Sequence, residues 1–534
     1  MLSQGGEAIV IGRLGSVLAG ETAIRNAVLV LIAAIAVIRL VFAASLGLGV
    51  DETYTVATSR QLQMGYFDHP PLAWWLTAAA RWITGSEHPV IVRLPFILAF
   101  CLTTWFMYAL TRLLYGLQAG FWAAVLINIP PVIGWTSGTW VLPDGPLYAA
   151  LTIGAYALAR VLFISRQSPL WWLLAGVAGG FAILSKLHGV FLFAGTLVFL
   201  ATSARYRPWL ASPWPYVGAL LALCMLSPTI AWNVQHDWIS ITFQAQRGEA
   251  TQFSIGALLA LLAGQMVFLL PLMWIALVFA WVRALRRGPS HARDWLLVCL
   301  SGGPIVFFTI TALWAHRVLP HWAAPGYLLV IPLLGREIAR ALALSRRRVK
   351  PWLWTRASTT AVLVPAIIAI AQFPWPTISL FGQPPIPDPL VETVSWDGVR
   401  VALQQRGLAA APNLVAIGTS WHEAAKLDVA LEGRLPVLCL APDPRGYGLN
   451  VRAPSYVGRD VVIVTQAMTP EQVEMTFKPY VDALKREQDV VITRVGKPIF
   501  TLHVYTARNL HQPNAGTAIN LLDPLGAWSS PSAK

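Results

Sequence analysis

The sequence predicts a polytopic α-helical membrane protein of about eleven transmembrane helices, with a C-terminal α/β domain outside the membrane. Of its 534 residues, 56% are hydrophobic and only 12% are charged, and the chain contains 24 Trp. Soluble globular domains carry about 25% charged residues, so this composition excludes an ordinary soluble globule. In addition, the apolar residues are gathered into runs of about 20, the length that an α-helix needs to cross a bilayer.

The apolar runs predict where the membrane helices lie within a transmembrane domain of residues 27–373. An N-terminal segment, 1–26, precedes this domain and is predicted to be cytoplasmic. The first apolar run is longer than that of a signal peptide and lacks a clean cleavage site, so we expect it to be retained, with Arg39 facing protein or water. We place the helices at 27–49, 89–111, 118–138, 145–163, 169–185, 187–203, 214–232, 255–282, 295–314, 322–335 and 357–373.

The positions of the basic residues predict the orientation. Arginines follow every second helix, at Arg112, Arg160, Arg205 and Arg283 and in the run 346–348. Cytoplasmic loops carry the excess of Lys and Arg, so these turns are predicted to be cytoplasmic. The net charge of +14 is therefore a topology signal, and nucleic acid is not an expected partner. An odd number of helices places the C-terminus outside the cytoplasm.

The chain after residue 373 has a different character. Residues 374–390 are rich in Pro and predict an extended linker. Residues 391–509 alternate strand-like and helix-like stretches, which predicts a small extracytoplasmic α/β domain. Residues 510–534 are rich in Asn, Gly, Pro and Ser and predict disorder. Within the domain we expect strands at 414–419, 437–440, 460–465 and 490–506, and helices from 422 and across 471–486.

Acidic residues stand out in the first external loop, 51–88. Asp51 and Glu52 directly follow the first apolar run, and Asp68 and His69 precede two prolines. A carboxylate beside a membrane is partly desolvated and marks a candidate functional site. The alternative for Asp51 and Glu52 is that they cap the next helix.

This loop resembles the first external loop of the GT-C membrane glycosyltransferases related to the protein O-mannosyltransferases, a superfamily that includes the lipid A aminoarabinose transferase and the rhizobial galacturonosyltransferases. In these proteins an acidic pair follows the first membrane helix, and an acidic-basic-Pro-Pro motif follows a short interfacial helix. The resemblance implies a GT-C fold in the bacterial inner membrane. It also implies transfer of one sugar from a polyprenyl-phosphate carrier to an external acceptor hydroxyl.

The resemblance assigns the general base to Asp51. A carboxylate within hydrogen-bond reach of an acceptor hydroxyl contributes about 10²–10⁴-fold to the rate. Glu52 is the second candidate, and it could orient either a substrate or a helix end. Asp144, in the predicted external loop 139–146, matches a third carboxylate of the family, although its Pro-Asp-Gly-Pro context is also a strong turn signal.

The departing lipid phosphate needs cations. Our candidates are Lys186, Arg247, His69 and Arg317. Lys186 lies between two apolar segments, so it needs a partner, either a lipid phosphate or a carboxylate, unless it reaches the interface instead. Arg247, in the predicted external loop 233–254, has a planar fork that suits phosphate oxygens, but this loop could also be a solvated interfacial helix. His69 replaces the Lys of the aminoarabinose transferase, which weakens the expected phosphate contact.

A divalent cation could bind at Asp68, since Asp68 and His69 are both metal-ligating residue types. Two ligands do not make a site, and Asp68 could instead form a turn before Pro70. The chain has no phosphate-binding loop of the Walker type and no His-Glu-x-x-His motif. Weaker site candidates are Tyr54, His188, Gln244 and His321.

The sequence does not identify the acceptor, which could be lipopolysaccharide, another lipid-linked glycan or a protein. Two other functions remain open: a transporter or lipid flippase, and a non-catalytic membrane sensor whose external domain binds a ligand. The charges cluster on the predicted external face and no inverted repeat is visible, which argues against a transporter.

Overall fold

The computed structural model describes residues 4–164, 168–247, 252–315, 318–344, 391–408, 411–451, 453–494 and 496–511. They form two compact units. The first, here called the helical unit, contains the described residues up to 42, 69–73 and 93–344. The second, here called the α/β unit, contains residues 43–68 and 74–92 together with the described residues from 391 onward.

Long α-helices build the helical unit. They are Gln4–Ser45, Pro89–Tyr115, Leu117–Leu126, Asp144–Phe163, Leu170–Ser185, Val190–Thr202, Trp214–Gln235, Ile255–Leu269, Pro271–Arg287, Ala292–Thr311 and Ala324–Leu344. Shorter helices are Pro131–Thr136, Ser137–Thr139, Leu187–Gly189, Arg207–Ala211, Ile239–Arg247, Gly288–Ser290 and Pro320–Ala323.

Small residues bring some of these helices into close contact. A Cβ atom added to Gly176 would lie 2.1 Å from the carbonyl oxygen of Gly218, so the backbones of Leu170–Ser185 and Trp214–Gln235 meet there directly. Such crossings are typical of membrane helix pairs, in which van der Waals packing replaces the hydrophobic effect. Of the two predicted surroundings of Arg39, protein or water, the structure shows protein. Arg39 is buried, and its guanidinium donates to Asn128 Oδ1 at 2.9 Å and to the carbonyl oxygen of Gly134 at 2.6 Å.

Within the described part of the chain, five helices have the length and apolar composition to cross a membrane, and the number rises to seven if two bent pairs each count as one span. The helices are Gly20–Ser45, Pro89–Tyr115, Asp144–Phe163, Trp214–Gln235 and Ala292–Thr311. These helices agree with a membrane protein of several spans. The predicted span at 357–373 lies outside the described residues, and the count of eleven remains a prediction.

Two of the predicted helices are broken rather than continuous. The region predicted as 118–138 is Leu117–Leu126 followed by Pro131–Thr139, with a bend of 83°. Pro130 and Pro131 cause the break, since proline cannot continue an α-helix. The region predicted as 255–282 bends by 108° between Ile255–Leu269 and the helix that begins at Pro271. Leu270, at the bend, has a φ of 67°.

The α/β unit contains a mixed six-stranded sheet. Its strands are β1 (Leu414–Gly418), β2 (Val437–Cys439), β3 (Asp460–Thr465), β4 (Asp482–Arg486), β5 (Val490–Arg494) and β6 (Lys497–Arg508). The order is β2-β1-β3-β6-β4, and β5 pairs with β6. Strand β1 is parallel to β2 and β3, whereas β6 is antiparallel to its neighbours. Its helices are Val50–Thr58, Leu72–Thr84, Val391–Thr393, Asp397–Gln405, Trp421–Ala430, Gly446–Asn450, Ala453–Tyr456 and Pro470–Phe477.

The predicted strands are present, but the helix predicted at 471–486 is wrong in its second half. The helix Pro470–Phe477 ends before Pro479, and residues Asp482–Arg486 form β4 instead. The charged residues of β4 resemble a solvated helix face in the sequence. In the sheet they belong to an exposed strand that pairs only with β6 among the described strands.

Much of the predicted first external loop, 51–88, belongs to the α/β unit. The helix Val50–Thr58 contacts the helix Trp421–Ala430, where the rings of Tyr54 and Trp421 lie 5.4 Å apart edge to face. Arg60 strengthens the contact, since its guanidinium pairs with Glu87 and with Asp428. Residues separated by more than 360 positions in the chain thus form one folded unit.

Candidate active site

The acidic pair of the first loop divides into one buried and one exposed carboxylate. Glu52 is fully buried, and its Oε2 accepts the backbone N–H of Gly49 at 2.8 Å, which caps the helix Val50–Thr58. Asp51 lies in the first turn of the same helix and is exposed. The capping alternative therefore applies to Glu52, while Asp51 presents a carboxylate that a substrate can reach.

We expect Glu52→Ala to lower the free energy of unfolding by about 1–3 kcal/mol, because the buried N–H of Gly49 loses its acceptor. Glu52→Gln keeps a side-chain carbonyl at that place and should recover most of the stability. Thermal unfolding of the purified variants and a transfer assay would measure stability and activity together. A well-folded Gln variant without activity would contradict a purely structural role.

Asp68 accepts hydrogen bonds from Tyr54 and Arg445. Its Oδ1 accepts the hydroxyl of Tyr54 at 2.9 Å, and its Oδ2 accepts Nη1 of Arg445 at 3.2 Å. Burial raises the pKa of Asp68, and the charge of Arg445 opposes this increase. Burial also raises the pKa of Tyr54 well above its usual value, so Tyr54 remains a hydrogen-bond donor at neutral pH. Tyr54 and Asp51 are one turn apart on the same helix.

Arg445 is a site residue that the sequence alone does not reveal. Its guanidinium lies over the ring of Trp421, 3.6 Å from the centroid, as well as beside Asp68. Its backbone has a φ of 46° and a ψ of −135°, a conformation that costs a non-glycine residue about 1–3 kcal/mol. The Pro-Arg-Gly sequence predicts a turn, but no spacing connects it to Asp68, which lies 377 residues earlier.

A metal ion at Asp68 would need further ligands. In the described ranges of the chain, no group of three or more His, Cys, Asp or Glu side chains is placed to hold a metal ion. The cation in contact with Asp68 is the guanidinium of Arg445. A divalent cation at Asp68 stays a prediction.

A buried ion pair forms the centre of the candidate residues in the helical unit. Asp144 is the first residue of the helix Asp144–Phe163, and Lys186 lies at the extended junction between Leu170–Ser185 and Leu187–Gly189. The Nζ atom of Lys186 donates to both carboxylate oxygens, at 3.0 and 2.9 Å. Both side chains are nearly inaccessible, with exposed fractions of 6% and 11%. Lys186 therefore has a carboxylate partner and does not reach out to the interface.

Two histidines lie in the electrostatic environment of this ion pair. The charges of Lys186 and Asp144 act on both His188 and His321. The ring of His188 stacks on Phe308, with centroids 4.9 Å apart. His321 is in the short helix Pro320–Ala323, and burial lowers its pKa to about 4. At neutral pH His321 is therefore uncharged and can offer one hydrogen bond but no cationic charge.

The remaining site candidates are Arg247, Gln244, His69 and Arg317. Arg247 ends the short helix Ile239–Arg247, its guanidinium lies 4.4 Å from the ring centroid of Phe243, and its charge acts on His321. Gln244 lies on the same helix. His69 acts electrostatically on His188. Arg317 lies outside the described residues.

The helical unit thus brings Asp144, Lys186, His188, His321 and Arg247 into one electrostatic neighbourhood. The α/β unit brings together Asp51, Tyr54, Asp68 and Arg445. The first group combines the buried Lys186 and the partly exposed Arg247 with two imidazoles, an arrangement suited to an anionic headgroup. The second combines an exposed carboxylate with a rigid hydrogen-bonded support, an arrangement suited to proton abstraction.

Comparison with known proteins identifies the fold. Residues 68–232 match the family described as dolichyl-phosphate-mannose-protein mannosyltransferase. The lipid A galacturonosyltransferase RgtD of Rhizobium johnstonii is 24% identical over 312 residues, which cover 55% of this chain and 62% of RgtD. The matched region thus spans less than two thirds of the length of that relative.

Among solved structures, ArnT from Cupriavidus metallidurans in the apo state superposes with a TM-score of 0.59 at 16% identity, covering 90% of this chain and 98% of ArnT. ArnT bound to undecaprenyl phosphate gives a TM-score of 0.55 at 17% identity, covering 91% and 99%. At such low identity these matches establish the fold, in which the helices and the C-terminal sheet are both included. The chain therefore shares the fold of ArnT, and residues 68–232 resemble the protein mannosyltransferase family.

Proposed function

We propose that this protein is a membrane glycosyltransferase that moves one sugar from a polyprenyl-phosphate carrier to an acceptor hydroxyl. The reaction would occur on the extracytoplasmic face of a bacterial inner membrane, with the C-terminal domain on that face. The observation that carries the proposal is the exposed Asp51 carboxylate in the first turn of the helix Val50–Thr58. Glu52 caps this helix, and Asp68 accepts the hydroxyl of its Tyr54. The GT-C fold and the name of RgtD support the same reaction class.

In the proposed mechanism, Asp51 accepts the proton of the acceptor hydroxyl as its oxygen attacks the anomeric carbon of the sugar. The bond between that carbon and the phosphate oxygen breaks, and a polyprenyl monophosphate leaves with the electron pair. Attack opposite the leaving group inverts the anomeric centre, as the family resemblance implies. Asn or Gln cannot replace Asp51 in this step, because an amide does not accept a proton at neutral pH.

The cationic residues of the helical unit are the proposed phosphate-binding group. The ammonium of Lys186 is paired with the carboxylate of Asp144, so together they add no net positive charge to the phosphate site. Arg247 is therefore our main candidate for the leaving phosphate, since its planar fork donates to two oxygens at once. The neutral His321 would add one hydrogen bond. The binding of undecaprenyl phosphate by ArnT, which shares the fold, supports a lipid of this chemistry.

We expect Arg247→Lys to weaken binding of undecaprenyl phosphate by about 10- to 100-fold, because a charge-assisted hydrogen bond is worth about 1.5–3 kcal/mol. Binding to the detergent-solubilised protein would be measured by titration with the lipid. Arg283→Lys is the matched control, since Arg283 is an exposed helical arginine paired with Glu337. Equal affinity in the two variants would remove Arg247 from the phosphate site.

For the acceptor we favour lipopolysaccharide, because the acceptor in the name of RgtD is lipid A. Another lipid-linked glycan or a protein would serve the same chemistry. Mass spectrometry of the envelope glycolipids and glycoproteins of a deletion strain tests the proposal. One sugar should be missing from one class of molecule and should return on complementation. An unchanged glycan profile would contradict an enzymatic function and favour a transporter or sensor.

A further inference from the structure

The loop after β2 in the α/β unit contains a strained turn. The backbone N–H of Tyr447 donates to the carbonyl oxygen of Pro444 at 3.1 Å, which closes a β-turn with Arg445 and Gly446 at its centre. The φ and ψ angles of Arg445, 46° and −135°, are those of the first central residue of a type II′ turn. Glycine is preferred there because a side chain is strained at positive φ. An arginine persists in such a conformation only where its surroundings hold it.

Contacts to the first loop hold this turn through both its side chain and its backbone. The side chain of Arg445 is 16% exposed, and its guanidinium pairs with Asp68 and covers the ring of Trp421. The backbone N–H of Gly446 donates to the hydroxyl of Tyr54 at 3.0 Å. A Cβ atom at Gly446 would lie 2.6 Å from that hydroxyl, so only glycine permits the approach. The turn is thus built to meet Tyr54 and Asp68.

Hydrogen bonds connect the turn to the helix that carries Asp51, the proposed base. Arg445 donates to Asp68, Asp68 accepts from Tyr54, and Tyr54 lies one turn after Asp51 on the helix Val50–Thr58. The charges of Arg445 and Asp51 both act on His422, which places these groups in one neighbourhood. A residue of the C-terminal domain is therefore connected to Asp51 by two consecutive hydrogen bonds and one helical turn.

We propose that Arg445 is a positioning residue of the transfer reaction: through Asp68 and Tyr54 it fixes the orientation of the helix that carries Asp51. The α/β domain is then a required part of the catalytic apparatus, and its strained turn is retained for this purpose. This inference rests on the proposed function, in which Asp51 is the base. Arg445 itself neither donates nor accepts a proton in the reaction.

Arg445→Gly is the decisive variant, because it relieves the backbone strain while it removes the guanidinium. We expect kcat to fall by about 10- to 100-fold, the value of a charge-assisted hydrogen bond, while KM for the lipid donor stays within about twofold. Arg445→Lys keeps a cation and should recover part of kcat. Ala483→Gly is the matched control, since Ala483 also has a positive φ, 48°, but lies in β4. It should keep the wild-type kcat.

A double-mutant cycle tests whether Arg445 affects kcat through Asp68. If Arg445 acts through Asp68, adding Arg445→Gly to Asp68→Asn should cost little beyond Asp68→Asn alone. Additive losses, a wild-type kcat in Arg445→Gly, or a loss confined to KM would each overturn the inference. Equal kcat values for Arg445→Lys and Arg445→Gly would also overturn it.

Hydrogen exchange separates this inference from the proposed function, because it needs no substrate. Amides of residues 50–58 should exchange at least about tenfold faster in Arg445→Gly than in Ala483→Gly, since the helix loses its anchor. If these amides exchange faster in Arg445→Gly but the wild-type protein transfers no sugar, the proposed function is contradicted while the anchoring role stands. Unchanged exchange in these amides would overturn the anchoring role itself.

Discussion

Asp51→Asn should lower kcat for sugar transfer by about 10²–10⁴-fold while the protein remains folded and still binds undecaprenyl phosphate. The amide has nearly the shape of the carboxylate but cannot accept a proton. Asp51 is exposed in the first turn of its helix, so the substitution should change the free energy of unfolding by less than about 0.5 kcal/mol. Initial rates of transfer in proteoliposomes and thermal unfolding in detergent measure the two effects separately.

Asp397→Asn provides the matched control for this experiment. Asp397 is also an exposed aspartate in the first turn of a helix of the α/β unit. It should retain wild-type transfer, since its carboxylate has no place in the proposed reaction. Wild-type kcat in Asp51→Asn would show that Asp51 is not the base.

Lys186→Met should have the largest effect on stability, lowering the free energy of unfolding by about 3–5 kcal/mol. The substitution leaves Asp144 buried without the ammonium that satisfies both of its oxygens. Transfer should be lost as well, because little folded protein remains in the membrane. Expression level and thermal unfolding in detergent measure the stability effect.

The double variant Lys186→Met with Asp144→Leu separates folding from function. Replacing a buried ion pair by apolar residues of similar volume is often neutral or stabilising, so this variant should fold better than Lys186→Met alone. We still expect transfer to be lost, because two of the charged groups of the proposed donor site are missing. A double variant with wild-type transfer would reduce the ion pair to a purely structural role.

The sequence indicated candidate site residues but not all of their partners. Lys186 stands between apolar segments, so its need for a partner was evident, but the sequence left open a lipid phosphate or a carboxylate. The structure provides Asp144, 42 residues earlier. In the same way, a polar run with Asp51 and Glu52 marked a candidate functional loop, and burial then distinguished the capping Glu52 from the accessible Asp51.

Elements with strong local signals were predicted well, and elements that depend on distant contacts were not. The strand regions of the C-terminal domain follow from their apolar and β-branched residues, whereas β4 is charged and resembles a helix. Arg445 shows the limit most clearly, because its importance depends on Asp68 and Trp421, which no sequence spacing connects to it. Pro130, Pro131 and Pro271 lie at the breaks of the two bent helices. The sequence nevertheless favoured continuous spans, because the apolar runs are long.

Asp51, as the proposed general base, should be required for the transfer of one sugar from a polyprenyl monophosphate carrier. The most direct test uses purified protein in liposomes with the lipid donor extracted from the host membrane and an acceptor fraction from the deletion strain. Mass spectrometry would count the polyprenyl monophosphate released and the sugar gained by the acceptor. We predict equal amounts of both with the wild-type protein and neither with Asp51→Asn, although this variant still binds undecaprenyl phosphate. Equal turnover by Asp51→Asn would contradict the role of Asp51 as the base. Sugar gained without release of the lipid phosphate would contradict a polyprenyl-phosphate donor.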